Sequence, residues 1–220
     1  MRRLLLLRPE PGLSRSAERA RALGMEPLLA PLFEIRPVAW SPPIPANYDA
    51  LLLTSANAVR QAGPGLAHFA NLPVHAVGAA TARAATENGM TVISTGASDV
   101  DGLLGALKTP LHMLHLAGEN HRTVESKHRI EVVAVYRAAP IEVPGLALCG
   151  STVVAVHSPR AGHRLSQLVQ NRAGMDVVAI SAAAATACGT GWRSVTIADH
   201  PDDDHLLALA ARLCHTSDQR

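Results

Sequence analysis

Residues 4–7, 51–53, 153–156 and 177–180 are short, unbroken apolar runs, most of them closed by a polar residue. Runs of this length without alternation read as strands buried on both faces, the kind that a parallel sheet uses. In chain order the pattern predicts a strand at 4–7, a helix at 14–23 stopped by Gly24, and a strand at 27–33. Arg36, Pro37 and the proline-rich segment 41–45 then mark an extended connection. From Asp49 onward the pattern gives strands at 51–53, 74–77, 91–94, 111–116 and 131–136. Helices are predicted from about residue 56, over 79–88 and from a cap at Ser98, and a polar segment covers 118–129. A second connection at 137–141 leads to strands at 153–156, 177–180 and 195–198 and a last helix over 201–213.

The chain states part of this pattern twice. A shift of 103 residues lays 49–58 (DALLLTSANA) on 152–161 (TVVAVHSPRA), 74–78 on 177–181, Val92 on Val195 and 101–104 on 204–207, with no gap. Two structural copies of one βα array explain a register that persists this far. The second copy shows three strands only, a poor core for an open sheet, and the chain's first two strands, 4–7 and 27–33, supply the missing pair. The expected fold is therefore α/β, two doubly wound parallel-sheet domains of five strands each, flavodoxin-like. One domain is the other circularly permuted, with residues 1–36 and 138–220 in the first and 37–137 in the second. A two-strand linker joins them, and two crossings side by side make a hinge.

Composition narrows the class. At 220 residues the chain holds two domains of ordinary size, and 48% hydrophobic against 3% aromatic residues means cores built from Leu, Val, Ile and Ala. A net charge of +2 gives no case for a nucleic-acid surface. The positive charge is nearly all arginine, however, the side chain suited to two-pronged pairing with carboxylate. Cys149, Cys188 and Cys214 form no CxxC pair and suit a reducing cytoplasm. Arg8, Pro9 and Glu10 end the apolar start too early for a signal peptide, and no stretch is long enough to span a bilayer. The 11 histidines show no HxxxH or HExxH spacing, so no metal site is expected.

With Arg8-Pro9, Thr54-Ser55-Ala56-Asn57, Val77-Gly78-Ala79-Ala80-Thr81-Ala82 and Val135-Tyr136 in this order, the sequence resembles the uroporphyrinogen-III synthase family over nearly its whole length. The resemblance implies a cytoplasmic, monomeric, cofactor-free lyase. Its substrate is hydroxymethylbilane, a linear tetrapyrrole with eight carboxylates, taken over from hydroxymethylbilane synthase. The enzyme expels the hydroxyl as water, inverts the last pyrrole ring and closes the macrocycle. One segment departs from the family's pattern. Where a longer amphipathic helix is usual, residues 119–129 are short and charged with Val124 their one apolar member, so contacts from them are not counted on.

Physical chemistry supports a site of this kind independently. Ligands of open α/β sheets sit beyond the carboxyl ends of the strands. Helix N-termini gathered there attract anions, about 0.3–1 kcal/mol for each carboxylate near the surface. Ser55 and Ser158 read as helix caps whose turns also face a ligand, with Ser181 at the corresponding place one strand later. Gly78 is either a tight turn or a point of close ligand approach, followed by Ala79. Thr81 is a helix residue that the resemblance assigns to the ligand, together with Pro9, Thr54, Ala56, Asn57 and Gly118. Arg8 and Arg160 follow strand ends, where solvated charge and carboxylate pairing are both open. Tyr136 is either a packing residue or a donor to the departing hydroxyl. Two other functions remain in view, a two-lobed small-molecule binding module and a nucleotide-dependent Rossmann-like enzyme. No signal peptide or DNA-binding helix pair accompanies the first, and no GxGxxG or GxxxxGK[ST] follows a strand for the second.

Overall fold

The computed structural model describes residues 2–96, 99–143 and 151–216. Along the chain run β1 (Arg3–Leu6), α1 (Gly12–Ala22), β2 (Pro27–Leu29), β3 (Phe33–Pro37), β4 (Ala50–Leu53), α2 (Ala56–Gln61), β5 (Val74–Val77), α3 (Ala79–Glu87), β6 (Val92–Gly96), α4 (Val100–Ala106) and β7 (His112–Gly118). There follow β8 (Arg129–Pro140), β9 (Thr152–Val156), α5 (Pro159–Leu168), β10 (Met175–Ala179), α6 (Ala182–Ala187), β11 (Ser194–Ile197) and α7 (Asp203–His215). The chain divides into two compact units, Met1–Glu34 with Pro140–Arg220, and Ile35–Ala139.

In the first unit the sheet order is β11-β10-β9-β1-β2, and neighbouring strands run parallel throughout. Leu5 of β1 stands opposite Val154 on one side and Leu28 on the other. Leu4 and Leu6 pack with Leu13 and Ala17 of α1 and with Leu206, Leu207 and Ala210 of α7. Leu13, Ala17 and Ala20 fall at helical spacing and give α1 the apolar stripe it buries there.

In the second unit the order is β3-β8-β7-β4-β5-β6. The pairs β8–β7, β7–β4, β4–β5 and β5–β6 are parallel. Leu51 and Leu53 of β4 face a core with Phe69, Val74, Ala84 and Ala85, while Ala50 and Leu52 face Leu103, Leu104 and Met113. Successive side chains of a strand point to opposite faces, so a strand apolar at every position needs helices on both. Each fully buried leucine contributes about 1.5–3 kcal/mol.

The helices keep the repeat's register. α2 and α5, α3 and α6, and α4 and α7 begin 103 residues apart in each case. Ser55 and Ser158 cap the first pair, and their hydroxyls accept from the backbone N–H groups of Asn57 and Ala161. Ser181 does the same for Ala184, where the other copy has Gly78 at φ +81°. Asp99 and Asp202 cap the third pair by accepting from the N–H groups of Gly102 and His205. Ser98, the cap expected for α4, lies outside the described residues, as does Cys149.

Three expectations need correction. The second sheet has six strands rather than five. The run predicted as one strand over 27–33 is broken, because Pro31 has no N–H to give a ladder. The piece beyond the break, β3, joins the second sheet beside β8. β8 itself extends from Arg129 to Pro140, well beyond the predicted 131–136. The chain thus leaves the first unit through β3 and returns through β8.

At the amino ends of the first unit's strands, Asp176 of β10 gathers Arg2, Arg193 and the Ser194 hydroxyl. The Asp176 and Arg2 side chains are only 5% and 9% exposed. Burial alone would push this carboxyl up, but hydrogen bonds from Arg193, Ser194 and Arg2 outweigh it and lower the pKa to about 2. Because the folded value lies below the ordinary one, the stabilisation is complete at neutral pH and is lost as pH falls from about 4 towards about 2. Asp176→Asn leaves two arginines without their carboxylate and is expected to lower unfolding free energy by about 3 kcal/mol at pH 7. Urea unfolding of variant and wild type measures the loss, which should shrink towards zero at the acid end of that window.

Candidate active site

At the carboxyl ends of β4, β5, β7 and β8, on the face of the second sheet that carries α4, lies a pocket of about 330 Å³. The strands deliver its polar lining. Thr54 and Ser55 follow the last residue of β4, Gly118 ends β7, and Tyr136 comes from β8. Gly118 and Tyr136 are register partners across a ladder irregularity. A Cβ on Gly118 would lie 2.8 Å from the Tyr136 Cζ atom, so the phenol rests where only glycine leaves room. The ring is half-buried and lines the pocket.

His115, on β7, is 2% exposed and places its Nε2 2.9 Å from the Thr54 hydroxyl. Burial, with a smaller push from His121, lowers its pKa to about 4, so the imidazole is neutral at neutral pH. The His121 Nδ1 lies 3.0 Å from the Gly118 carbonyl, which can only accept, so that nitrogen carries a proton. The His121 ring meets His115 edge-on at 6.2 Å. Arg122 lines the same pocket and forms an exposed ion pair with Asp101 of α4 at 2.5 Å.

Among the expected site residues, Thr54, Ser55, Gly118 and Tyr136 come together in this pocket. Ala56 and Asn57 form the first turn of α2 behind Ser55. Gly78 and Ala79 open α3 next to Val77, which lines the pocket, but Thr81 is 4% exposed and outside the lining. His115, Asn120, His121 and Arg122 join the lining without any motif in the sequence pointing to them. A histidine inside an otherwise apolar strand is the available signal for His115. The other three belong to the short, charged segment whose contacts are not expected from the pattern alone.

The first unit treats the corresponding end of its sheet differently. Arg8, just past β1, donates to Asp203 at 3.1 Å and to the Ser16 hydroxyl at 3.0 Å. Asp203 also accepts from Ser16 at 2.8 Å and from Arg19 at 3.0 Å, and pairs with the His157 Nε2 at 2.7 Å. Burial lowers the pKa of His157, and its Nε2–H donates to the carboxylate, which can only accept. Against burial, hydrogen bonds from His157 and Ser16, with Arg8 close by, hold the Asp203 pKa below the usual carboxylate range. The carboxylate partner of Arg8 is thus one of the chain's own. Pro9 supplies the carbonyl that receives the Leu13 N–H of α1. The guanidinium of Arg160 stacks 4.6 Å over Phe33, while Ser158 and Ser181 serve their helices as caps.

No helix among the described residues is long and apolar enough to cross a membrane. In structure the chain is similar to a uroporphyrinogen-III synthetase from Helicobacter pylori 26695, with a TM-score of 0.70, 18% identity and coverage of 97% of this chain and 100% of that one. A mutant uroporphyrinogen III synthase from the extremely thermophilic bacterium Thermus thermophilus aligns with a TM-score of 0.55 and 20% identity over 99% of this chain and 100% of that one. At such identities the likeness concerns the fold. No curated protein matches the sequence significantly. The family model for uroporphyrinogen-III synthase HemD, by contrast, matches residues 14–208, most of the chain and both units, and so the chain belongs to the uroporphyrinogen-III synthase family.

Proposed function

We propose that hydroxymethylbilane is cyclised to uroporphyrinogen III at the carboxyl-end pocket of the second unit, with Tyr136 facing the departing hydroxyl. The family's enzymes are cyclising hydro-lyases of tetrapyrrole synthesis, and the alternatives of a binding module or nucleotide enzyme are not favoured. The observation that carries the assignment to this pocket is the Gly118–Tyr136 contact. It sets a phenol beside the Thr54 and Ser55 turn, at the end of the sheet where ligands of such folds bind.

The chemistry fits these residues. An electron-rich pyrrole pushes out the hydroxyl on its neighbouring carbon, and the Tyr136 O–H gives that oxygen the proton with which it leaves as water. The substituted α-carbon of the terminal pyrrole then bonds to the freed carbon, its older bond to the bridge carbon of the preceding ring breaks, and that bridge carbon bonds instead to the terminal ring's free α-carbon, whose proton returns to the phenolate. The substrate's own nitrogen lone pair drives the departure, so the reaction needs neither metal nor coenzyme. Expulsion is the easy part, and uncatalysed closure gives the unrearranged isomer. The protein's work is positioning, which is spread over many groups. His115, neutral above about pH 5 because its pKa is about 4, is unsuited to act as a cationic acid; it fixes the Thr54 hydroxyl instead.

In the same reading the two units are circular permutations of one array, bounded at about residues 36 and 138, and the paired crossings act as a hinge. Shared strand order outward from the central apolar strand and three helix starts with one common spacing support it. Arg8, Pro9, Ser158, Arg160 and Ser181 belong to the carboxyl end of the first unit's own sheet, where Arg8 meets Asp203, Arg160 stacks on Phe33 and the serines cap their helices, and this reading assigns them no contact with the bilane. A substrate that closes spontaneously favours direct receipt from hydroxymethylbilane synthase, in the cytoplasm, by a monomer.

Tyr136→Phe is expected to slow turnover about 10²-fold, the low end for general acid catalysis, with an unchanged thermal melt. Initial rates on fresh bilane, with chromatographic separation of the two isomers, measure this; an unchanged rate removes Tyr136 from the reaction. Gly118→Ala displaces the ring rather than the backbone and is expected to bring a loss of similar size in a folded protein, read in the same assay.

A further inference from the structure

We propose that the loop at 119–128 builds a carboxylate subsite in which Arg122 anchors an acid side chain of one pyrrole ring, an inference that rests on the pocket receiving the bilane. Three observations lead to it. First, the two units differ in what covers one face of the sheet near its carboxyl end. In the first unit, α1 covers the sheet beside α7, and the first residue of α7, Asp203, puts a carboxylate under Arg8. In the second unit the residue 103 positions earlier is Val100, which lines the open pocket, and a loop replaces the covering helix. One unit holds its arginine and carboxylate half-buried together between helix and sheet, whereas the other carries its pair, Arg122 and Asp101, exposed at the edge of an open pocket.

Second, the loop is tied in place from within. His121 donates to the Gly118 carbonyl and its ring abuts His115, which fixes the stretch just before Arg122 against β7. Arg122 meets Asp101 through one side of its guanidinium. An exposed ion pair of this kind holds weakly, and the planar group has five donors, so it can also take a second carboxylate or exchange the first.

Third, the volume is selective. A pocket of about 330 Å³ lies at the low end for small-molecule sites, with room for one substituted pyrrole and not for four. Each ring of an octacarboxylate tetrapyrrole brings two acid groups, and a cation at the pocket's edge lets a ring enter while its acid stays at the solvent boundary. Since this contact is equally present before and during the reaction, Arg122 acts in binding rather than in the chemical step.

The test is steady-state kinetics on freshly made hydroxymethylbilane. Arg122→Gln is expected to raise KM about 10-fold with kcat within about twofold of wild type, the pattern of lost uniform binding. Arg122→Lys, which keeps the charge and loses the fork, is expected to fall between the two. Arg60→Gln, an exposed arginine at the end of α2 outside the pocket, controls for the general loss of a positive charge and should leave KM unchanged. A KM for Arg122→Gln within twofold of wild type, or an equal rise from Arg60→Gln, overturns the subsite while leaving the assigned reaction intact. A wild-type chain that fails to cyclise the bilane overturns the underlying reading and this inference with it.

Discussion

Leu51, Leu52 and Leu53 leave neither face of β4 to water, and Val153, Val154 and Ala155 do the same for β9. A strand of this kind has to be paired on both edges and covered on both faces. Parallel neighbours with intervening helices meet both demands, and in a parallel sheet every connecting helix begins at the carboxyl ends of the strands. The gathering of Ser55, Gly78, Asp99 and their counterparts at one end of each sheet is therefore a by-product of burying leucine and valine. The place where an anion is favoured follows from the core, before any residue is chosen for a substrate.

The two units share this frame and part company over one segment. α1 forms because Leu13, Ala17 and Ala20 give it something to bury; residues 119–128 carry Val124 alone and stay irregular. In the first unit Arg8, Arg19, Ser16, His157 and Asp203 satisfy one another between the helix and the sheet. Without such a helix, the second unit has an open pocket in that region, edged by polar groups that no apolar neighbour could have held. A deficit of hydrophobic residues thus shapes the site as much as any polar side chain does.

The strands and the common register of the two arrays were legible in the sequence because both depend on local runs of apolar residues and on caps a few positions away. Thr54, Ser55 and Tyr136 could be singled out because motifs carried them. The features that escaped depend on tertiary structure. Pro31 cuts a run that looks continuous, and only the unfilled edge beside β8 explains where the second piece goes. Arg8 meets a carboxylate 195 positions away, and no local pattern identifies such a partner. His121 and Arg122 sit in a segment whose polarity reads as solvated loop, and their meaning appears only once β7 and α4 are seen on either side.

The placement of β1 also has a consequence for how the polypeptide is made. Leu4, Leu5 and Leu6 leave the ribosome well before one of their two neighbouring strands, which begins at Thr152. At about 5–20 residues per second, synthesis exposes them unfinished for roughly 7–30 s. During that interval the strands from Ala50 to Pro140 emerge in one contiguous stretch, so the second unit can assemble as it is translated. The most apolar stretch of the nascent chain is left waiting for its last partner, flanked by Arg2, Arg3 and Arg8. Charges on either side of an apolar run are the usual device that disfavours pairing with a wrong edge, and in the folded protein Arg2 and Arg8 pair instead with Asp176 and Asp203.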